Sequence, residues 1–374
     1  RRRVQHVCPW RPPLLLAVLA VAAFEGLRSR IQCAGGVACA VPGRLPRRPA
    51  VLGVWQGLNC VAAATAVAPG APLALGKTAI SKGPLPLTVG LGTCLVSDES
   101  VSSQVGTALE VGYRVFDTAQ KYTNEPGVGR ALRKAFGKGL SRDEVFVTTK
   151  VWPSNEGHDE VVVSVQDSAE RLGLEAIDLV MPHWPTGPGF ETRLNWKNRT
   201  RGIEANANNR RETWRALEEL QRNGFVRHIG VSNYNERHLR ELLEYAEVPP
   251  AVSQFEVHPY NVRQDLVALC EQEGISVNAY SPLGGKGNPK QVTDKLLCDP
   301  VITRVAEAHG KTPAQVILRW HLERGITPIP KATARKRLEE NFAVFDFKLT
   351  PAEVAEISAL DRGNFVIMDS EVLL

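Results

Sequence analysis

The chain has 374 residues and a formal net charge of +5, long enough for one large α/β domain plus an additional segment. The charge is unevenly placed: residues 1–84 hold eleven of the 45 Lys and Arg but a single acid, Glu25, leaving 34 basic against 39 acidic side chains. The remainder is therefore mildly acidic and gives no reason to expect a nucleic-acid partner.

The front begins RRRVQHVCPWRPP and runs into LLLAVLAVAAF, Leu14 to Phe24, before a basic, acid-poor stretch. A basic start, a short apolar core and small residues at Ala22-Ala23 have the parts of a secretory signal, and the core is too short for a comfortable membrane span. The arrangement is similar to two-part plastid presequences, so plastid import of a mature domain that is not membrane-embedded is the expectation. Entry into the secretory route, an extension without a targeting role and a cytoplasmic enzyme stay open as alternatives. Residue 1 is Arg and the only methionines are Met181 and Met368, which suits the reading as extraneous sequence. Residues 1–84 are set apart as an extension and 85–374 as the working domain. Four of the seven cysteines lie in the extension, and Cys94, Cys270 and Cys298 stand far apart beyond it. With no CxxC and no zinc-like Cys/His spacing, a reduced domain without a metal centre is expected.

From residue 85 the pattern alternates. Strands are predicted at Val89–Thr93, Tyr113–Asp117, Val145–Lys150, Ile177–His183, Arg227–Ser232, Val252–Glu256, Ser276–Tyr280 and Thr327–Pro330. Helices are predicted at Glu99–Val111, Val128–Phe136, His158–Leu172, around Trp214 to Leu220, and at Arg237–Tyr245, Leu266–Glu273, Val301–Ala308, Pro313–Leu322, Ala334–Phe342 and Pro351–Leu360. Apolar residues at Val161, Val165, Ala169 and Leu172 make one helical stripe, and Thr312-Pro313 is a good helix opening. Eight strands with intervening helices predict a (β/α)8 barrel. An open dinucleotide-binding sheet is disfavoured, because no GxGxxG follows a strand and the glycines of Gly284-Gly-Lys-Gly287 have the wrong spacing. The long segment Trp184 to Asn209 falls on the side of the strand ends and reads as a loop over the substrate, with Asn195, Arg201 and Asn206 as polar candidates. It also holds the sequon Asn198-Arg-Thr200, which matters only in a secretory compartment.

Polar groups gather where the strands end. GYRVFDTAQKYTNEPGVGRAL, Gly112 to Leu132, carries Asp117 at the mouth of an apolar strand, where an acid is costly unless paired, and Tyr122 follows. Lys150 closes VFVTTK, His183 closes DLVMPH, and Ser232-Asn233 close HIGVSN. In these surroundings the chain, from about Leu85 to about Gly363, resembles the aldo-keto reductases, a family of nicotinamide-dependent carbonyl reductases on the same barrel. Its catalytic Asp, Tyr, Lys and His fall on Asp117, Tyr122, Lys150 and His183. Each alone has an ordinary reading: a turn cap, a half-buried aromatic, a solvated strand end, a satisfied loop histidine.

The resemblance implies NADPH/NADP+ as cofactor and a small-molecule aldehyde or ketone as substrate. Carbonyl reduction needs a hydride at carbon and a proton at oxygen. A tyrosine is a poor acid at neutral pH, and the Lys150 ammonium, held by Asp117, is expected to ease loss of the Tyr122 proton. A neutral His183 is expected to align the carbonyl oxygen. Ser232, Asn233 and Gln254 correspond to the family's carboxamide partners and Tyr280 to the residue beneath the nicotinamide ring, with Ser281 and Leu283 following it. Lys331 and Arg337 correspond to the partners of the 2′-phosphate, and Glu340 and Asn341 to those of adenine. Cys94, Trp152 and Trp184 are the candidate pocket walls. The sequence departs from the family at Pro182 before the histidine, Ser253 before the glutamine, Cys94 in place of a common Trp, and Ala332 in place of a common Ser. The alternative function is a cofactor-binding regulatory or scaffold subunit with little turnover; a monomer is expected.

Overall fold

The computed structural model describes Leu85, residues 87–187, 203–367 and Leu373. The predicted extension and its targeting role lie outside the described residues, as do Asn195, Arg201 and the sequon at Asn198.

Eight parallel strands lie side by side in chain order: β1 (Leu91–Gly92), β2 (Val115–Asp117), β3 (Phe146–Val151), β4 (Ile177–Pro182), β5 (Val226–Ser232), β6 (Val252–Glu256), β7 (Ser276–Tyr280) and β8 (Ile326–Pro328). The first and last strands also meet. The Gly90 N–H donates to the Pro328 carbonyl at 2.9 Å and the Gly92 N–H to that of Pro330 at 3.1 Å. This approach requires the two glycines, since a Cβ on Gly92 would lie 2.9 Å from the Ile329 carbonyl oxygen and one on Gly90 2.7 Å from the Ile329 side chain. The barrel predicted from eight strands is the fold observed.

Side chains on a strand alternate between faces. In β2 to β4, Phe116, Val147 and Val180 join the large cluster between strands and helices, while Val115, Phe146, Leu179 and Met181 join Val252 and Leu85 in a smaller cluster inside the barrel. Two steps beyond Val115 is Asp117, four beyond Phe146 is Lys150, and two beyond Val252 is Gln254. Period two therefore sends all three inward, above the apolar plug and at the carboxyl ends of their strands.

The helices that cover the barrel begin with recognisable caps. Ser97 opens α1 (Asp98–Val111), Asn235 opens α5 (Glu236–Tyr245), and Thr312 closes a capping box with Gln315 at the start of α9 (Pro313–Glu323). Predicted boundaries differ from those observed mostly by one to three residues. The largest difference is α4, which spans Ile203–Arg222, so Asn206 stands on a helix within the segment read as loop. The sequence reading also omitted the short helix α7 (Thr293–Leu296) and the 3-10 turns at Gln120–Tyr122, Arg142–Glu144 and Pro153–Asn155. These are too short for a periodic signal. Cys94 and Cys270 carry free thiols, whereas Cys298 is disulfide-bonded, which cysteine spacing did not foretell.

Candidate active site

The inward-pointing strand ends make one connected group. The Lys150 ammonium donates to Asp117 Oδ1 at 2.6 Å and to the Thr118 carbonyl at 3.1 Å. The side chains are 1 % and 6 % exposed, so each charge depends on the other for stability in a dry site. The second oxygen of Asp117 accepts from Gln254 Nε2 at 2.8 Å. Asp117 is thus held by two donors from two other strands, and Gln254, assigned above only to the cofactor, also supports the acid. Its side-chain carbonyl is left to accept from something else.

Tyr122 comes from the 3-10 turn that follows β2, and Lys150 Nζ lies 5.3 Å from its ring centre. The phenol is held well above the ordinary tyrosine range, first by burial, with its neighbours Cys94, to whose thiol it is hydrogen-bonded, and the Asp117 carboxylate acting in the same direction. Without a ligand, desolvation dominates and Tyr122 keeps its proton. His183 follows β4, its backbone N–H donating to the Val151 carbonyl at 2.9 Å. Burial, and then the Lys150 and Lys121 charges, hold its pKa well below the usual histidine range, so the ring is neutral. Its Nδ1 is buried without a hydrogen-bond partner. The ring stands edge-on to Tyr122 at 5.7 Å and to Trp152 at 5.3 Å, and lies parallel to Trp184 at 6.4 Å. The expected walls Trp152 and Trp184 do border the histidine. Cys94, on the exposed loop after β1, reaches the Tyr122 hydroxyl from the other side.

Two residues that hold this geometry were not singled out from the sequence. Gln120 accepts from the Trp152 N–H at 3.1 Å and from Asn155 at 3.0 Å while donating to Ser164 and Ser168, which pins the Trp152 loop to the turn bearing Tyr122. Asn124 donates to the carbonyls of Thr93 and Val96, both at 2.9 Å, and fixes the loop bearing Cys94. Both occur inside the motif segment, beside Tyr122, and their amides were the available signal.

The residues expected to hold the nicotinamide also cluster. Asn233, at a left-handed φ of 62°, donates to the His183 carbonyl at 2.8 Å and to Ser232 Oγ at 3.2 Å. The Tyr280 hydroxyl donates to Asn233 Oδ1 at 2.6 Å, and the Asn233 N–H to the Gln254 carbonyl at 2.9 Å. Ser232, Asn233, Gln254 and Tyr280 thus surround the space beside the histidine on three strands. Ser281, at φ 50°, and Leu283 continue into a loop where Gly284, Gly285 and Gly287 all have positive φ. A Cβ on Gly287 would lie 3.9 Å from the Lys331 ammonium, which therefore faces bare backbone.

At the rim, the four cations of Lys331 to Arg337 separate into two kinds. Arg335 pairs with Glu110 and Glu339, whereas Lys331, Lys336 and Arg337 are exposed and pair with no carboxylate among the described residues. Unpaired Lys331 beside a glycine-rich loop, with Arg337 on the same basic segment, suits a phosphate. Glu340, placed at the adenine end, accepts from the Thr312 hydroxyl at 2.6 Å, and Asn341 is buried. These residues fit a phosphorylated dinucleotide laid from the barrel mouth to the rim. No group of three or more metal-ligating side chains occurs among the described residues.

Comparison with known proteins agrees with this geometry. Residues 87–362 match the model of the aldo/keto reductase family. Aldo-keto reductase family 1 member A1-A of Danio rerio is 37% identical over 297 residues, covering 78% of this chain and 92% of that protein. The human family 1 member A1 is 39% identical over 281 residues, covering 74% and 86%. Among solved structures, a Bombyx mori aldo-keto reductase in complex with NADP has a TM-score of 0.66 and 35% identity over 76% of this chain and 92% of that one. An aldo-keto reductase from a Medee basin deep-sea metagenome library has a TM-score of 0.67 and 34% identity over 76% and 94%. With its barrel closed, its Asp, Tyr, Lys and His at one end, and a family match across most of its length, the chain belongs to the aldo/keto reductase family.

Proposed function

We propose that the chain reduces aldehyde or ketone carbonyls to alcohols with NADPH, using Tyr122 as the proton donor. The observation that carries this reading is the buried Lys150–Asp117 pair at 2.6 Å, with the Lys150 ammonium 5.3 Å from the Tyr122 ring. Related structures crystallised with NADP or NADPH support the cofactor.

When bound, NADPH supplies the hydride. Ser232, Asn233 and the free carbonyl of Gln254 would hold its carboxamide, Tyr280 would lie against its ring, and Lys331 and Arg337 would hold its 2′-phosphate. The protein's own part is to orient the carbonyl and deliver a proton. A neutral His183 donates a ring N–H to the carbonyl oxygen and aligns it without introducing a second buried positive charge beside Lys150. Tyr122, which keeps its proton over the neutral range, transfers it to the same oxygen as that oxygen gains charge. The phenolate left behind is stabilised by the Lys150 ammonium, and Asp117 and Gln254 keep that ammonium in place. Trp152 and Trp184 keep water from the carbonyl and favour an apolar body on the substrate.

The full-length protein incubated with NADPH and a panel of aromatic and aliphatic aldehydes should consume NADPH and release the alcohol. Tight NADPH binding with no turnover of any aldehyde would replace this reading with a cofactor-binding regulatory role. For the extension we propose plastid delivery: residues 1–84 fused to a fluorescent reporter should mark the plastid of an alga with a complex plastid, and a cytosolic signal would discard that route.

A further inference from the structure

Lys121 is a cation beside Tyr122 that the chemistry above does not use. It immediately precedes Tyr122 on the 3-10 turn, is exposed, and holds its ammonium 4.8 Å from the centre of the Trp152 ring. That ring in turn stands edge-on to His183. The position is enforced, because Gln120 ties the turn to the Trp152 backbone at 3.1 Å and a cation over an indole face is itself favourable. No carboxylate among the described residues pairs with Lys121. The acids near this end are otherwise engaged: Asp117 is bound by Lys150 and Gln254. Glu156, on the same loop as Trp152, is buried so deeply that its carboxyl is pushed well above the usual range, with Arg210 and Asn209 opposing. The Lys121 charge does reach the reaction centre, where it contributes to keeping His183 neutral.

We infer that Lys121 selects among carbonyl substrates, favouring those that carry a carboxylate or another anionic group beyond an apolar body. The inference rests on the proposed reductase activity and names its substrate class. The carbonyl enters between Tyr122 and His183, the body lies along Trp152, and the distal anion meets the ammonium at the rim. Because Lys121 is exposed, the attraction is partly screened and falls with added salt. It acts on the encounter and on binding more than on the chemical step.

The test uses two aldehydes of the same shape, 4-carboxybenzaldehyde and its neutral methyl ester, with full-length protein and saturating NADPH. The quantity read is the ratio of kcat/KM for the acid to that for the ester. Lys121→Met should lower this ratio about three- to fivefold, the scale of one partly screened charge pair. Lys121→Glu should lower it further, and Lys121→Arg should keep it. In the unsubstituted protein, raising salt from about 0.02 M to about 0.5 M should move the ratio in the same direction as Lys121→Met. A ratio that changes less than about twofold in both Lys121→Met and Lys121→Glu overturns the assignment, since the neutral ester controls for general damage. If neither aldehyde is turned over by the unsubstituted protein, the reductase reading itself fails and takes the selectivity with it; ester turnover with an indifferent ratio refutes only the selectivity.

Discussion

The two sets of cations at the carboxyl end of the barrel live under opposite physics. Lys150 is buried, bound by Asp117 at 2.6 Å and by the Thr118 carbonyl; Lys331 and Arg337 stand exposed on the rim without a carboxylate partner among the described residues. In the first case desolvation and close pairing fix a single geometry, so the side chain is part of the fold as well as of the chemistry. In the second the charge is free to meet a ligand and contributes little to stability until one arrives. Substitutions in the core should therefore affect folding and rate together, whereas substitutions at the rim should affect ligand affinity alone.

The largest effect is expected at the pair. Lys150→Met leaves Asp117 charged and buried with only Gln254 as donor, a change of the kind that costs about 3–5 kcal/mol. Chemical denaturation should show a loss of that size together with very slow reduction; unaltered stability would show that water reaches the site and solvates Asp117. Tyr122→Phe separates the two roles. It removes a proton but no buried charge, so aldehyde reduction should fall at least the ~10²-fold typical of a lost general acid, with NADPH affinity and the unfolding midpoint close to normal. Near-normal turnover would remove Tyr122 from the mechanism.

At the rim, replacing Lys331 and Arg337 together with Met should weaken NADPH about 10- to 100-fold by fluorescence titration, given the strength of charge-assisted hydrogen bonds to a phosphate. NADH should be affected far less. Equal losses for the two cofactors would make these residues a general field. Titration sharpens the contrast further. Burial holds the Tyr122 phenol well above 10, so the proton donor persists as pH rises: reduction should stay level through the neutral range and alcohol oxidation, which needs the phenolate, should increase with pH. A separate acid-side effect concerns His238, whose pKa is pushed down to about 3, first by burial and then by Arg210 and Arg237. A histidine with a depressed folded pKa binds fewer protons than the unfolded chain below about 6.5. Its contribution to stability is complete above that pH and is lost as pH falls toward 3. His238→Gln should therefore flatten the acid side of the stability profile measured by thermal unfolding across that window.

Much of this site was legible in the sequence because its parts lie at strand ends and in a short motif. Alternation explains why Asp117, Lys150 and Gln254 share the barrel interior, and an acid ending an apolar strand signals that a partner must exist. Alternation does not tell which residue hydrogen-bonds which. Gln254 illustrates the limit: resemblance assigned it to the cofactor, while the fold also brings it within 2.8 Å of Asp117, 137 residues away. The start of α4 at Ile203 was missed because its first turns are polar and contain Asn and Gly neighbours that read as loop. How far burial raises the Tyr122 pKa was not legible either, since composition names the neighbouring charges and says nothing of how much water is removed.

The sequence by itself determined the eightfold alternation, the inward set at the strand ends and the basic segment at the rim, since each follows from local periodicity and residue chemistry. Only the tertiary structure decided which cations are consumed by the fold and which remain available. Arg335 is paired with Glu110, distant in sequence, while Lys331 is not. Lys121 is held over Trp152 by a turn and a loop from different strands. Pairing and desolvation depend on distances across the closed barrel, and those distances do not exist until the first strand meets the last.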